Sequence, residues 1–232
     1  MSVEYFRKAL VDNANFIVAF VICFLIIFIN NSCYCWPVKS YQELRYRFVK
    51  GQKSTNSCGT ASLATLFSDF YGMEIEENKI IDLILPYLEE EKERLKKGEI
   101  PEGGVSMLDI KKVSEKLGIS AKGYQLPKES FISLLKRLKS PVIIHLSKPN
   151  EHFVLAIDSI AKQVIVGDPS WGIRLFSRKE LTKKWEGLML AFAVSNSHTE
   201  KASTVISSLK NKLICRRKLQ DFALNFFWNV GK

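Results

Sequence analysis

Cysteine and histidine are scarce in this 232-residue chain, which holds five of the first and three of the second. Cys23, Cys33, Cys35, Cys58 and Cys215 are too few and too scattered for a disulfide-dense miniprotein, and no cluster has metal-ligand spacing, so no metal site and no cofactor is expected. No collagen-like, coiled-coil or solenoid period recurs, and no phosphate-binding P-loop is present. Disorder throughout is excluded, because 47% of the residues are hydrophobic and 25% charged, enough apolar material for one ordinary core.

The apolar run Phe16–Ile29 stops at fourteen residues, short of the roughly 20 that span a bilayer as a helix. Arg7 and Lys8 precede it and Asn30, Asn31 and Ser32 follow, the pattern of a signal-peptide h-region. Basic residues on the amino-terminal side would keep that end in the cytoplasm and send the rest across the membrane, although Lys39, Arg45 and Arg47 weaken the asymmetry. No A-x-A site or lipobox follows, so residues 1–35 are expected to be a signal peptide or an uncleaved membrane anchor. Cys33 and Cys35 read as an incidental pair.

The formal net charge is +10, and about half of it lies from Glu200 onward, where seven cations face two anions. Residues 196–232 are therefore read as a basic tail whose first half is disordered and whose end, with Phe226, Phe227 and Trp228, lies on a membrane, docks on the domain or binds a partner. Nucleic acid is not expected, since no basic face with interleaved aromatics and no recognition motif occurs.

Residues 41–195 read as one mixed domain. Apolar residues at helical spacing predict helices over Gly59–Tyr71, Glu77–Lys97 with a break near Pro86, Ser106–Leu117 and Lys128–Leu138. After Ser140 the period shortens, predicting strands at Pro141–Leu146, Phe153–Asp158, Gln163–Val166 and Leu188–Val194, with a short helix opening at Leu181–Trp185. Helices first and strands later indicate α+β, an antiparallel sheet packed on the early helices.

Cys58 lies between a polar loop, Gly51–Ser57, and the start of the first strong helix, where exposed backbone N–H groups favour a thiolate. His152 precedes one predicted strand and Asp168 follows the next, so a hairpin would bring imidazole and carboxylate together. The roles of a thiol acyl-transfer site are then filled: Cys58 as nucleophile, His152 as proton acceptor and donor, Asp168 as orienter. Gln52 would place its amide beside the Cys58 N–H as an oxyanion donor.

These residues resemble the bacteriocin-processing, or double-glycine leader, cysteine peptidases, which are papain-like. The resemblance runs through Gln52-x5-Cys58-Gly59, Tyr71-Gly72, Gly104-Val-Ser-Met-Leu-Asp109, Glu151-His152-Phe153-Val154, Gly167-Asp168-Pro169 and Leu181-x3-Trp185-x-Gly187, in order, over about residues 48–194. It departs at Ser57 and Thr60, where transporter-fused members usually carry Asp and often Pro, so free-standing exported members are the nearer match. The resemblance implies peptide or protein substrates, with cleavage after small residues such as Gly-Gly through an acyl-enzyme. It also implies a papain-like fold at a periplasmic location or on the outer face of the inner membrane. The rival reading is a catalytically silent peptide-binding or accessory module of the same fold. A triad-bearing acyltransferase is a third.

Three features are set aside. His145, inside the apolar strand, is expected to be a hydrogen-bonded core histidine, and His198 a bystander in a polar linker. Gly103-Gly104 reads as a turn before a helix and not as a cleavage site.

Overall fold

The run of β-branched and aliphatic residues from Phe153 to Ile157 can be buried only if both faces of its strand are covered, and the fold is built around that strand. The computed structural model describes residues 39–87 and 104–230, with residues 219–230 given by backbone alone. The expected targeting run at Phe16–Ile29, the cysteines 23, 33 and 35, the second half of the helix expected over Glu77–Lys97, Gly103 and the side chains of the aromatic tail end lie outside the described residues. Residues 1–40 and 41–232 are separate units, and the sheet with its helices belongs to the second.

That unit opens with α1 (Tyr41–Arg45) and α2 (Cys58–Thr65), the latter running into a π-helical turn at Leu66–Phe70. Next come α3 (Glu77–Ile84) with a 3-10 turn at Leu85–Tyr87, α4 (Met107–Lys116), β1 (Ser120–Gln125) and α5 (Phe131–Leu138). The remainder is β2 (Val142–Leu146), β3 (His152–Ile160), β4 (Gln163–Asp168), β5 (Gly172–Ser177), α6 (Arg178–Lys184), β6 (Trp185–Ala193) and α7 (Asn196–Val230). The six strands form one sheet in the order β1-β6-β2-β3-β4-β5, with every pairing antiparallel. This is the α+β architecture expected from the sequence.

Strand alternation divides the core into two layers. Ile143, Phe153, Leu155 and Ile157 face α2, the π-helical turn after it, α3 and α4, where Leu63, Phe67, Ile80 and Ile110 are fully buried. Val142, Ile144, Val154 and Ala156 face the other way, against Phe131 and Leu135 of α5, Leu181 of α6 and the buried Trp185. The sheet is thus packed on both sides, and not only on the early helices.

Two strands escaped the sequence reading, β1 and β5, and both are edges. In β1 only Ala121 is buried, and β5 buries Gly172 and Phe176 around an Arg-containing middle, so neither carries the apolar run that marked its neighbours. Helix α5 starts at Phe131, three residues later than expected, because residues 127–130 form a turn in which Ser130 N donates to Pro127 O at 3.3 Å.

The expected disorder at the start of the tail is corrected. Helix α7 lays Ala202, Ile206 and Leu209 against the domain, each buried, with Val205 and Leu213 beside them. Lys210 bridges to Asp158 at 2.7 Å and Arg217 reaches Gln163 at 3.1 Å. The apolar positions recur at helical spacing, but the intervening Lys and Ser residues lower the mean hydropathy enough to hide them. His198 is part of this helix and no linker bystander: its Nδ1 lies 2.9 Å from Ser195 Oγ and its ring 5.8 Å from that of Tyr71.

Candidate active site

Cys58 is the first residue of α2, so its sulfur sits where the helix exposes unpaired backbone N–H groups. Close packing holds this turn in place. A Cβ on Gly59 would lie 2.5 Å from Val105 Cγ2 and 3.2 Å from the Phe153 ring, so only glycine lets the helix start touch both the segment leading into α4 and β3. The preceding loop is wound around Ser57, whose buried Oγ accepts from the N–H groups of Lys53 and Ser54, both at 3.1 Å.

The β3–β4 hairpin does what the sequence led us to expect. His152 opens β3 and Asp168 ends β4, and Nε2 of His152 lies 2.8 Å from Asp168 Oδ1. With Nε2 so engaged, Nδ1 is the nitrogen left for the sulfur, and the Cys58 side chain is near enough to favour the imidazolium. Cys58 Sγ also accepts from the Phe153 N–H at 3.4 Å. Sulfur, imidazole and carboxylate are therefore gathered at one place.

The electrostatics follow from that arrangement. Burial by itself disfavours the imidazolium of His152, but the hydrogen bonds and charges of Asp168 and Cys58 outweigh it and raise the pKa to about 9. Burial likewise works against ionised Asp168, which is 1% exposed. His152, the Ser170 N–H at 2.8 Å and the Arg174 guanidinium at 3.4 Å overcome that burial and hold the carboxyl below its usual range.

Gln52 lies on the same loop but is not aimed freely at the sulfur. Its Nε2 donates to the carbonyls of Ser54 at 2.8 Å and Thr55 at 3.0 Å, and its Oε1 accepts from Ser170 Oγ at 2.7 Å. Its backbone N–H donates to Pro169 O at 3.1 Å, so the nucleophile loop and the Asp168 turn are stitched together.

His145 packs its half-buried ring on Phe153, centroids 4.8 Å apart. No described hydrogen bond reaches its ring, a difference from the hydrogen-bonded core histidine expected. Burial pushes its pKa down, with Glu151 opposing. Gly104 has φ +71°, the turn conformation expected of it, and Ser106 and Asp109 cap α4 reciprocally.

Three residues near the site went unread in the sequence. Glu77, only 3% exposed, places Oε1 3.0 Å from Thr60 Oγ1 beneath the first turn of α2, and burial pushes its carboxyl up. Arg174 pairs with Asp168 from β5. Ser170 joins Asp168 to Gln52. None belongs to a local motif: Glu77 looks like an ordinary first-turn acid, and Ser170 like a residue of a Pro-Ser turn.

Comparison with known proteins bears on the family and the fold. The probable functional amyloid protease FapD of Pseudomonas aeruginosa is 30% identical over 186 residues, covering 80% of this chain and 76% of that protein. Among solved structures, the peptidase domain of Streptococcus ComA superposes with a TM-score of 0.52 at 22% identity, covering 63% of this chain and 98% of that one. A double glycine motif protease from an AMS/PCAT transporter, solved with its leader peptide, gives 0.51 at 24%, covering 63% and 91%. These two share the papain-like fold. The model of the Peptidase C39 family matches residues 46–197, and the chain, a cysteine peptidase, belongs to that family.

Proposed function

We propose that Cys58, His152, Asp168 and Gln52 carry the peptidase reaction, and that the substrate is an extended peptide segment cut after small residues such as Gly-Gly. The observation that supports this most is the His152 ring held at Nε2 by Asp168, next to Phe153, whose N–H donates to the Cys58 sulfur. His152 takes the thiol proton, and the sulfur attacks the scissile carbonyl carbon. The C–N bond then breaks as the imidazolium returns the proton to the leaving amine. Water, deprotonated by His152, next attacks the thioester, releasing the new carboxylate and restoring the thiol. The oxyanion formed in both halves is met by the Cys58 N–H at the helix start and by Gln52 Nε2. A charged acceptor competes successfully with the neutral Ser54 or Thr55 carbonyl for a hydrogen of that amide.

The Gly-Gly preference rests on the motif resemblance, and one fold neighbour bears the description of a double glycine motif protease bound to a leader peptide. A protein substrate exported with the enzyme is supported by the FapD likeness, that relative being described as a functional amyloid protease. Export to the periplasm or the outer face of the inner membrane is part of the same proposal. So is the layout of a targeting or anchoring segment over 1–35, a peptidase domain over 41–195 and a basic extension over 196–232. Membrane association would use residues 16–29 and that basic extension. Among the described residues, no helix is long and apolar enough to cross a membrane.

The preference is tested with peptides that differ only in the residue before the cut. Replacing that glycine by leucine is expected to lower kcat/KM by roughly 100-fold or more, since forcing a bulky group into a close-packed cleft costs a few kcal/mol. Equal rates for the two peptides would contradict it.

A further inference from the structure

Ser170 uses all three of its polar groups, and each reaches a different part of the site. Its N–H donates to Asp168 Oδ1 at 2.8 Å and its hydroxyl to Gln52 Oε1 at 2.7 Å. Its carbonyl accepts from the Tyr46 hydroxyl at 3.0 Å and from the Arg45 guanidinium. Arg45 is in turn held over the rings of Trp171, at 4.9 Å, and Tyr46, at 5.2 Å. The backbone of Ser170 is thus clamped from both sides, and its hydroxyl is a fixed donor.

The carbonyls of Ser54 and Thr55 decide which end of the Gln52 amide is Nε2, and the Ser170 hydroxyl holds the other end. With Oε1 on the Ser170 hydroxyl, Nε2 faces the carbonyls of Ser54 and Thr55 and all three contacts are satisfied. The flipped amide would set a carbonyl oxygen against two others, and among the described residues the Ser170 hydroxyl is the side-chain partner that ties Oε1 to the Asp168 turn, beside the backbone bond from Gln52 N–H to Pro169 O.

We propose that Ser170 is a positioning residue for the peptidase reaction: its hydroxyl holds the Gln52 amide in place for the oxyanion and ties it to the turn carrying Asp168. This rests on the reading of Gln52 as an oxyanion donor. Ser170 acts through Gln52 and touches neither the sulfur nor the imidazole.

Ser170→Ala removes the hydroxyl while keeping the N–H and C=O that hold Asp168, Tyr46 and Arg45. It is compared with Ser170→Thr, Gln52→Ala and the double variant Gln52→Ala/Ser170→Ala, using a Gly-Gly leader-type peptide and, separately, iodoacetamide labelling of Cys58. Loss of an oxyanion donor costs about 100- to 1,000-fold in kcat, and misplacing one costs a part of that. The expected result is a fall in kcat of roughly 10-fold or more for Ser170→Ala with KM little changed, largely restored in Ser170→Thr. Labelling of Cys58 should stay within about twofold of wild type, because the sulfur–imidazole pair is intact. In the Gln52→Ala background, Ser170→Ala should cost nothing further.

A Ser170→Ala penalty that persists undiminished without Gln52, or that slows labelling equally, would overturn the proposal by making Ser170 a general support of the site. So would an unchanged kcat in Ser170→Ala while Gln52→Ala is impaired. If Gln52→Ala itself retains full kcat, the oxyanion reading fails and the inference falls with it.

Discussion

Cys58→Ala is expected to lower peptide cleavage by a factor on the order of 10⁴ or more, leaving the fold and substrate capture intact. The size follows from the chemistry. Without the sulfur no acyl-enzyme forms, and what remains is the acceleration from binding and oxyanion donors, as when nucleophile or base is removed from other such triads. Alanine fits the site with no new strain, because Cys58 is already the first residue of a helix and the tight contacts around it are made by Gly59. His152→Ala should fall by a similar factor, and the two changes together by little more than either alone, since the groups act as a unit. Initial rates on a single leader-type peptide, with circular dichroism as a check on folding, measure all three. Full activity in either single variant would refute its assigned role.

Asp168→Asn should cost about 10³ to 10⁴ in kcat and should also move the pH profile. The neutral amide keeps the shape but removes the charge that Asp168 contributes to holding the His152 pKa at about 9. In the wild type the imidazolium persists until the pH rises through about 9, so the limb of the profile that depends on it falls there. In Asp168→Asn that limb should shift downward, toward the unperturbed histidine value near 6.5. An unshifted profile would separate Asp168 from the imidazole.

The same linkage makes a statement about stability. A raised folded pKa means that the contribution of His152 is complete below about pH 6.5 and is lost as pH rises through about 9. The carboxyl of Asp168 is lowered, so its contribution holds above its ordinary value of 3.8 and is lost as pH falls through the folded value.

What the sequence discloses and what it hides divide along physical lines. Strands β2, β3 and β4 lie inside the sheet and are covered on both faces, so their β-branched runs announce them. The edge strands β1 and β5 pair on one side only and carry Lys122, Tyr124 and Arg174 outward, which blurs any period. Helix α2 runs on into a π-helical turn from Leu66 to Phe70, a change of winding that no apolar spacing foretells. Helix α7 was masked by its own charges.

At the site, the three groups on the hairpin and the helix start were legible because each sits at the end of an element with a recognisable pattern. Ser170 was not, since its partner Gln52 is 118 residues away and only the folded chain brings their side chains together. Gln52 itself was placed on the right loop, but its engagement with Ser54, Thr55 and Ser170 follows from tertiary contacts. The buried pairing of Glu77 with Thr60 has the same origin.

The most direct test of the proposed pairing of sulfur, imidazole and carboxylate is the rate of iodoacetamide labelling at pH 6, resolved by peptide mapping. The exposed Cys215 provides an internal reference. Cys58 should react many-fold faster than Cys215 in the wild type and lose that advantage in His152→Ala, because His152 is the base proposed to take the proton from its sulfur. Equal rates for the two cysteines in the wild-type protein, or an advantage of Cys58 that survives removal of His152, would contradict the account.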